Sequence, residues 1–175
     1  TPAVPASDPE LLAAHERGLP VFRRGEVLAK LVSDARGIAV CGAHGKTTTS
    51  CFTARLLQEL GAVPEWCIGG TTPRLGGVAG CGNSDLLVAE ADESDGTLAQ
   101  YAPAVTVLTG IDLDHLEHFD GETALTACFA SVVARTREGV AVCCDNARAD
   151  QVGAAATVPL LRYGLAADAD LRATD

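Results

Sequence analysis

Residues 38–48 read IAVCGAHGKTT. Four apolar residues suit a short strand buried on both faces. A glycine turn follows, and residues 47–60 then carry a helical pattern that ends at Gly61. Gly42 and Gly45 let the chain turn sharply and point successive N–H groups inward, and the helix N-terminus behind them favours an anion. In that setting Lys46 reaches the β- and γ-phosphates of a nucleotide and the Thr47 hydroxyl ligates Mg2+. Gly42, Ala43, His44, Gly45 and Thr48 complete the predicted cradle. A full Walker pattern has another glycine five residues before Gly45, where this chain has Val40, so the loop is a shortened one. The order strand, glycine turn, Lys-Thr-Thr, helix separates it from an ordinary turn that happens to contain Gly-Lys.

The same alternation continues outward. Residues 86–89 (LLVA), 105–109 (VTVLT), 140–143 and 160–163 read as further strands, and 122–136 as a helix with an apolar stripe of Ala124, Leu125, Cys128, Phe129, Val132 and Val133. Apolar strands separated by helices predict an α/β fold, a mostly parallel sheet with helices on both faces. Such sheets bind ligands at the carboxyl ends of their strands. The Gly-rich stretch 69–82 reads as loops with short strands at most. Residues 1–36 read as a lead-in of two helices, the first capped by Ser7 or Asp8, the second with Val27, Leu28, Leu31 and Val32 on one face.

Two acidic clusters fall at predicted strand ends. Glu90, Asp92, Glu93 and Asp95 crowd into six residues, and such carboxylates repel one another unless a cation is present. Mg2+ takes oxygen ligands, usually one or two carboxylates with phosphate oxygens. A solvated acidic loop has the same charge pattern. Past the next strand come Asp112, Asp114 and His115, where one ring nitrogen of His115 is a candidate for a second metal, although a lone His near a strand end is more often structural. His15, His44 and His118 read as structural or solvent-facing, with His44 lining the loop.

The chain has 175 residues, 47% of them apolar, and a net charge of -10. Such a surface disfavours nucleic-acid phosphate while leaving room for one nucleotide held by backbone N–H groups, a lysine and a metal. No run approaches the roughly 20 apolar residues of a membrane span, and no signal peptide is visible. Seven cysteines without a C-x-x-C pair read as reduced, mostly buried thiols of a cytoplasmic protein. The absence of Met and the ending ADLRATD suggest a fragment.

Taken together, GAHGKTTTS, LLVAEADESDGTL, TGIDLDHLEHF and LLRYGL resemble the Mur ligases, ATP-dependent enzymes that build the peptide stem of peptidoglycan. The resemblance covers nearly the whole chain. It implies a P-loop-type central domain over residues 37–175, incomplete at its C-terminus, after the end of a UDP-binding domain and a linker over 1–36. It implies ATP and Mg2+ as cofactors, Lys46, Glu90 and His115 as catalytic residues, and Thr47, Glu90 and His115 as magnesium ligands. It also implies the branch whose substrates are UDP-N-acetylmuramate and L-alanine, without nucleic-acid or membrane partners. Glu90 and His115 are then expected within roughly 10–12 Å of each other. Lys46 is expected to be exposed and cheap to lose, and the fragment alone to be no working ligase. Ala43 and Gly110 stand where the family has Thr and Asn. Lys30 and Lys46 are the only lysines, so the carbamylated lysine of other Mur branches has no counterpart. Ser94 argues against the murein tripeptide recycling ligase. A folylpolyglutamate synthase-like ligase and a plain P-loop nucleotide-binding module are rival readings of the same motifs.

Overall fold

The structure is a computed structural model that describes residues 4–94, 96–113, 119 and 121–174. In chain order the elements are α1 (Pro9–Glu16), α2 (Arg24–Asp34), β1 (Arg36–Cys41), α3 (Lys46–Glu59), β2 (Glu65–Cys67), β3 (Ala79–Gly80), β4 (Leu86–Glu90), a 3-10 turn (Leu98–Gln100), β5 (Val105–Leu108), α4 (Glu122–Arg135), β6 (Gly139–Cys143), α5 (Ala147–Gly153), β7 (Leu160–Gly164) and β8 (Leu171–Arg172). The eight strands form one sheet in the order β3-β2-β4-β1-β5-β6-β7-β8. Every neighbouring pair is parallel except β2–β3.

The predicted α/β architecture is present, with helices on both faces of the sheet. Against one face lie α2, α4 and α5, around a core that includes Ala39, Cys41, Leu87, Leu108, Val142, Phe129 and Val132. On the other face α3 packs Ala54 against Val88, Ile68 and Leu75. The α4 stripe is buried as its spacing predicts, from Leu125 to Val133. Asp8 is the residue that caps α1, its carboxylate accepting from the N–H groups of Glu10 and Leu11. Of the expected α2 face, Val32 is buried and Leu28 packs against the core, while Val27 and Leu31 stay exposed; the helix also buries Gly25 and Ala29. Thr106 and Thr136, both buried, join hydroxyls 2.6 Å apart and tie β5 to the end of α4.

The strand order decides where a ligand can enter. From β1 the chain crosses through α3 to β2 on one side, and from adjacent β5 it crosses through α4 to β6 on the other. The connections therefore diverge above the carboxyl ends of β1 and β5, which opens a crevice there. The loop 42–45 leaves β1 at that point.

Candidate functional site

Three elements build the loop's surroundings. Gly42 has φ 132°, and a Cβ on it would lie 2.3 Å from Thr109 Oγ1 and 2.8 Å from the Gly110 carbonyl. Only glycine fits that approach. The Ala43 N–H donates to the Gly110 carbonyl at 2.9 Å, and Thr109 Oγ1 donates to the His44 carbonyl at 2.6 Å. The segment leaving β5 thus backs the loop along its length. Gly45, with φ 79°, is the N-cap of α3, and Lys46 and Thr47 open the helix.

Lys46 differs from expectation. Its side chain is only 13% exposed. Nζ donates to the Gly42 carbonyl at 2.7 Å and to both oxygens of Glu93 at 3.0 and 3.2 Å, with Asp92 Oδ1 at 3.7 Å. Glu93 itself is 2% exposed. A buried carboxylate needs a partner, so Lys46 is not cheap to lose. The acidic run offers no sign that Lys46 supplies the cation for Glu93, because the two lie 47 positions apart.

Glu90 is placed by register. β1 and β4 run parallel with Val40 beside Glu90, so the Glu90 carboxylate emerges next to the start of the loop. Thr47 Oγ1 donates to Glu90 Oε1 at 3.0 Å, and the Gly69 N–H donates to Oε2 at 2.7 Å. Two oxygens 3.0 Å apart suit adjacent corners of a magnesium octahedron, whose edge is about 3.0 Å for bonds near 2.1 Å. Among the described residues no three His, Cys, Asp or Glu side chains gather into a metal cage. Gly69 carries no signal of this role in the sequence, because it lies in an irregular stretch 21 positions before Glu90.

Asp92 accepts from the Ser94 hydroxyl at 2.8 Å and from its N–H at 3.3 Å. Burial pulls its carboxyl upward, but the Ser94 hydrogen bonds and the charges of Lys46 and Arg24 outweigh this and hold it below its ordinary value. A carboxyl lowered on folding stabilises fully above its unfolded value of about 3.9, and that contribution is lost as pH falls through the lower folded value. Asp92→Asn is therefore expected to flatten the acid limb of thermal stability below about pH 4, with no change of slope between pH 5 and 7. Melting curves from acid to neutral pH check this; an unaltered acid limb would show that Asp92 adds nothing to the pH dependence.

Beyond β5, Asn146 organises the segment that follows. Its Oδ1 accepts from the N–H groups of Ile111 (3.3 Å) and Ala149 (2.9 Å), so it caps α5 and holds the 110–112 turn at once. Its Nδ2 faces the Ile111 carbonyl and Asp112. A Cβ at Gly110 would meet Asn146 at 3.5 Å, an ordinary contact. The Asn before a short polar helix is the local signal for this residue. His44, largely exposed, lies 3.7 Å from Asp112. His115, Asp114, His118 and Asp95 lie outside the described residues, and so does the expected approach of His115 to Glu90.

A profile of the Mur ligase middle domain matches residues 40–175. The chain belongs to the Mur ligase family. This Mur ligase chain is 42% identical over 179 aligned positions to the UDP-N-acetylmuramate–L-alanine ligase of Paenarthrobacter aurescens, covering 99% of the chain and 39% of that protein. It is 44% identical to the enzyme of that name from Mycolicibacterium smegmatis, covering 95% of the chain and 36% of that protein. It thus spans about two fifths of the length of these curated relatives. Among solved structures, the UDP-N-acetylmuramate-alanine ligase of Thermotoga maritima matches with a TM-score of 0.82 at 26% identity, over 93% of this chain and 37% of that one. The UDP-N-acetylmuramate:L-alanyl-gamma-D-glutamyl-meso-diaminopimelate ligase of Neisseria meningitides shares the fold at a TM-score of 0.80 and 22% identity, over 92% and 56% of the two chains. Among the described residues of this Mur ligase no helix is long and apolar enough to cross a membrane.

Proposed function

We propose that the chain is the ATP- and Mg2+-binding part of a ligase that joins L-alanine to the carboxylate of UDP-N-acetylmuramate, releasing ADP and phosphate. The observation that carries this is the convergence of Lys46, Thr47 and Glu90 on one phosphate loop, in a chain about 42% identical to ligases of that name. The substrate carboxylate attacks the γ-phosphate of ATP to form an acyl phosphate, which the L-alanine amine then attacks, expelling phosphate. Lys46 and the loop N–H groups hold the phosphates and offset charge growing on the transferred oxygens. Mg2+, held by Thr47 and Glu90, would neutralise phosphate charge when bound. The resemblance gives His115 a second magnesium. With a net charge of -10, a site without cations would repel both anionic substrates.

In this reading residues 1–36 end a UDP-binding domain and 37–175 belong to the ATP-binding domain, in a cytoplasmic protein that needs no nucleic acid or membrane. The acceptor and UDP surfaces then lie in other parts of the protein, and the segment alone is expected to be inactive, because alignment of the three reactants is worth roughly 7–11 kcal/mol of barrier. The full-length protein, given ATP, Mg2+ and UDP-N-acetylmuramate, is expected to release phosphate in response to L-alanine at least about tenfold better than to a murein tripeptide, a gap of about 1.4 kcal/mol. A preference for the tripeptide would assign it to the recycling branch instead.

A further inference from the structure

We propose that Glu93 competes with nucleotide phosphate for Lys46, and so sets how tightly this site holds a nucleoside di- or triphosphate. The inference rests on the reading of 42–48 as the phosphate loop and goes beyond it in giving Glu93 a role toward the ligand. An ammonium has three N–H donors. One goes to the Gly42 carbonyl at 2.7 Å, and Glu93 takes up another across its two oxygens at 3.0 and 3.2 Å. Asp92 adds a second negative charge 3.7 Å away. Lys46, Asp92 and Glu93 together carry one net negative charge, so the lysine offers an incoming phosphate a single spare donor and little net field.

A carboxylate 2% exposed is a costly way to fill space in a protein interior. Here it is aimed at the loop's one lysine. Phosphate that takes more than the spare donor draws Lys46 partly away from Glu93, and is bound against that pull. Glu93→Gln keeps the shape and an acceptor oxygen but removes the negative charge that attracts the Lys46 ammonium, which weakens the hold on it. Glu93 acts through Lys46 and is a positioning residue.

The test is calorimetric titration of the full-length protein with ADP in the presence of Mg2+. Glu93→Gln is expected to lower Kd by about fivefold or more, since loosening the charged pair frees the lysine for phosphate. A role confined to packing or to anchoring Lys46 gives the opposite sign, because a loosened lysine and a disturbed core weaken binding. Unchanged or weaker ADP binding in a folded Glu93→Gln protein overturns the proposal. If that variant does not fold, Glu93→Asp decides by the same sign, its shorter reach stretching the pair while the charge stays. Lys46→Ala separates the two readings. Loss of ADP affinity there with no gain in Glu93→Gln removes only the role of Glu93, whereas unaltered affinity in Lys46→Ala removes the phosphate-loop reading as well.

Discussion

Lys46→Ala is expected to lower turnover at least about 10²–10³-fold and to destabilise the fold by about 3–5 kcal/mol. The first effect follows from the proposed role of Lys46, which meets charge developing on the transferred phosphoryl group. The second follows from the neighbourhood. Glu93 is 2% exposed, and its carboxylate bridges Lys46 with both oxygens, so truncating the lysine leaves a buried charge with its cation gone. The two losses are separable. Adding Glu93→Gln to Lys46→Ala replaces the stranded charge with a neutral amide, and is expected to return a large part of the stability and none of the turnover. Chemical denaturation of the single and double variants, beside a phosphate-release assay, measures both. A Lys46→Ala protein as stable as the parent would show that the Lys46–Glu93 pair contributes nothing to the fold.

Gly42→Ala is expected to cost about 2–5 kcal/mol, the sum of a strained backbone and a close contact. At φ 132° an L side chain is disfavoured, and its Cβ would meet Thr109 Oγ1 at 2.3 Å and the Gly110 backbone at 2.8–3.0 Å. Those neighbours are the end of β5 and the turn that Asn146 holds, so relief of the clash pushes the wall of the crevice outward and ADP binding falls with stability. Gly45 provides the control. It has φ 79°, but a Cβ there would meet nothing within 4 Å, so Gly45→Ala carries the conformational cost alone, about 1–2 kcal/mol. Equal losses in the two variants would mean that the approach of Thr109 to Gly42 is not what holds the loop.

The loop, β1 and α3 are legible in the sequence because their signals are local: an apolar run, glycines where φ is positive, and a helical pattern closed by glycine. β4, β5, β6 and α4 can be read for the same reason. β2 cannot, since EWC is three half-exposed or exposed residues that pair only because β4 lies beside them. β3 and β8 are two residues each, and α5 is seven mostly polar or small residues, with Val152 its one large apolar side chain, made helical by the Asn146 cap and by packing on β6. The α2 face is legible in part: Leu28 and Val32 pack on the core as their spacing predicts, while Val27 and Leu31 stay exposed and small Ala29 is buried instead. In the site, the choice of Glu90 over its neighbours comes from the family resemblance, while its register beside Val40 and its bond from Gly69 come from the sheet. The Lys46–Glu93 pair is a long-range contact between the first residue of α3 and the segment after β4, and has no local pattern to reveal it.

The central claim is that Lys46, Thr47 and Glu90 form one phosphate and magnesium site at the carboxyl ends of β1 and β4. A crystal structure of the full-length protein with Mg2+ and a non-hydrolysable ATP analogue tests it most directly. The terminal phosphates are expected in the cradle of 42–48 within hydrogen-bond reach of Lys46 Nζ, with a magnesium ion about 2.1 Å from an oxygen of Thr47 and one of Glu90. A nucleotide seated elsewhere, or a metal held by Asp92 and Glu93 with Glu90 left out, would contradict it.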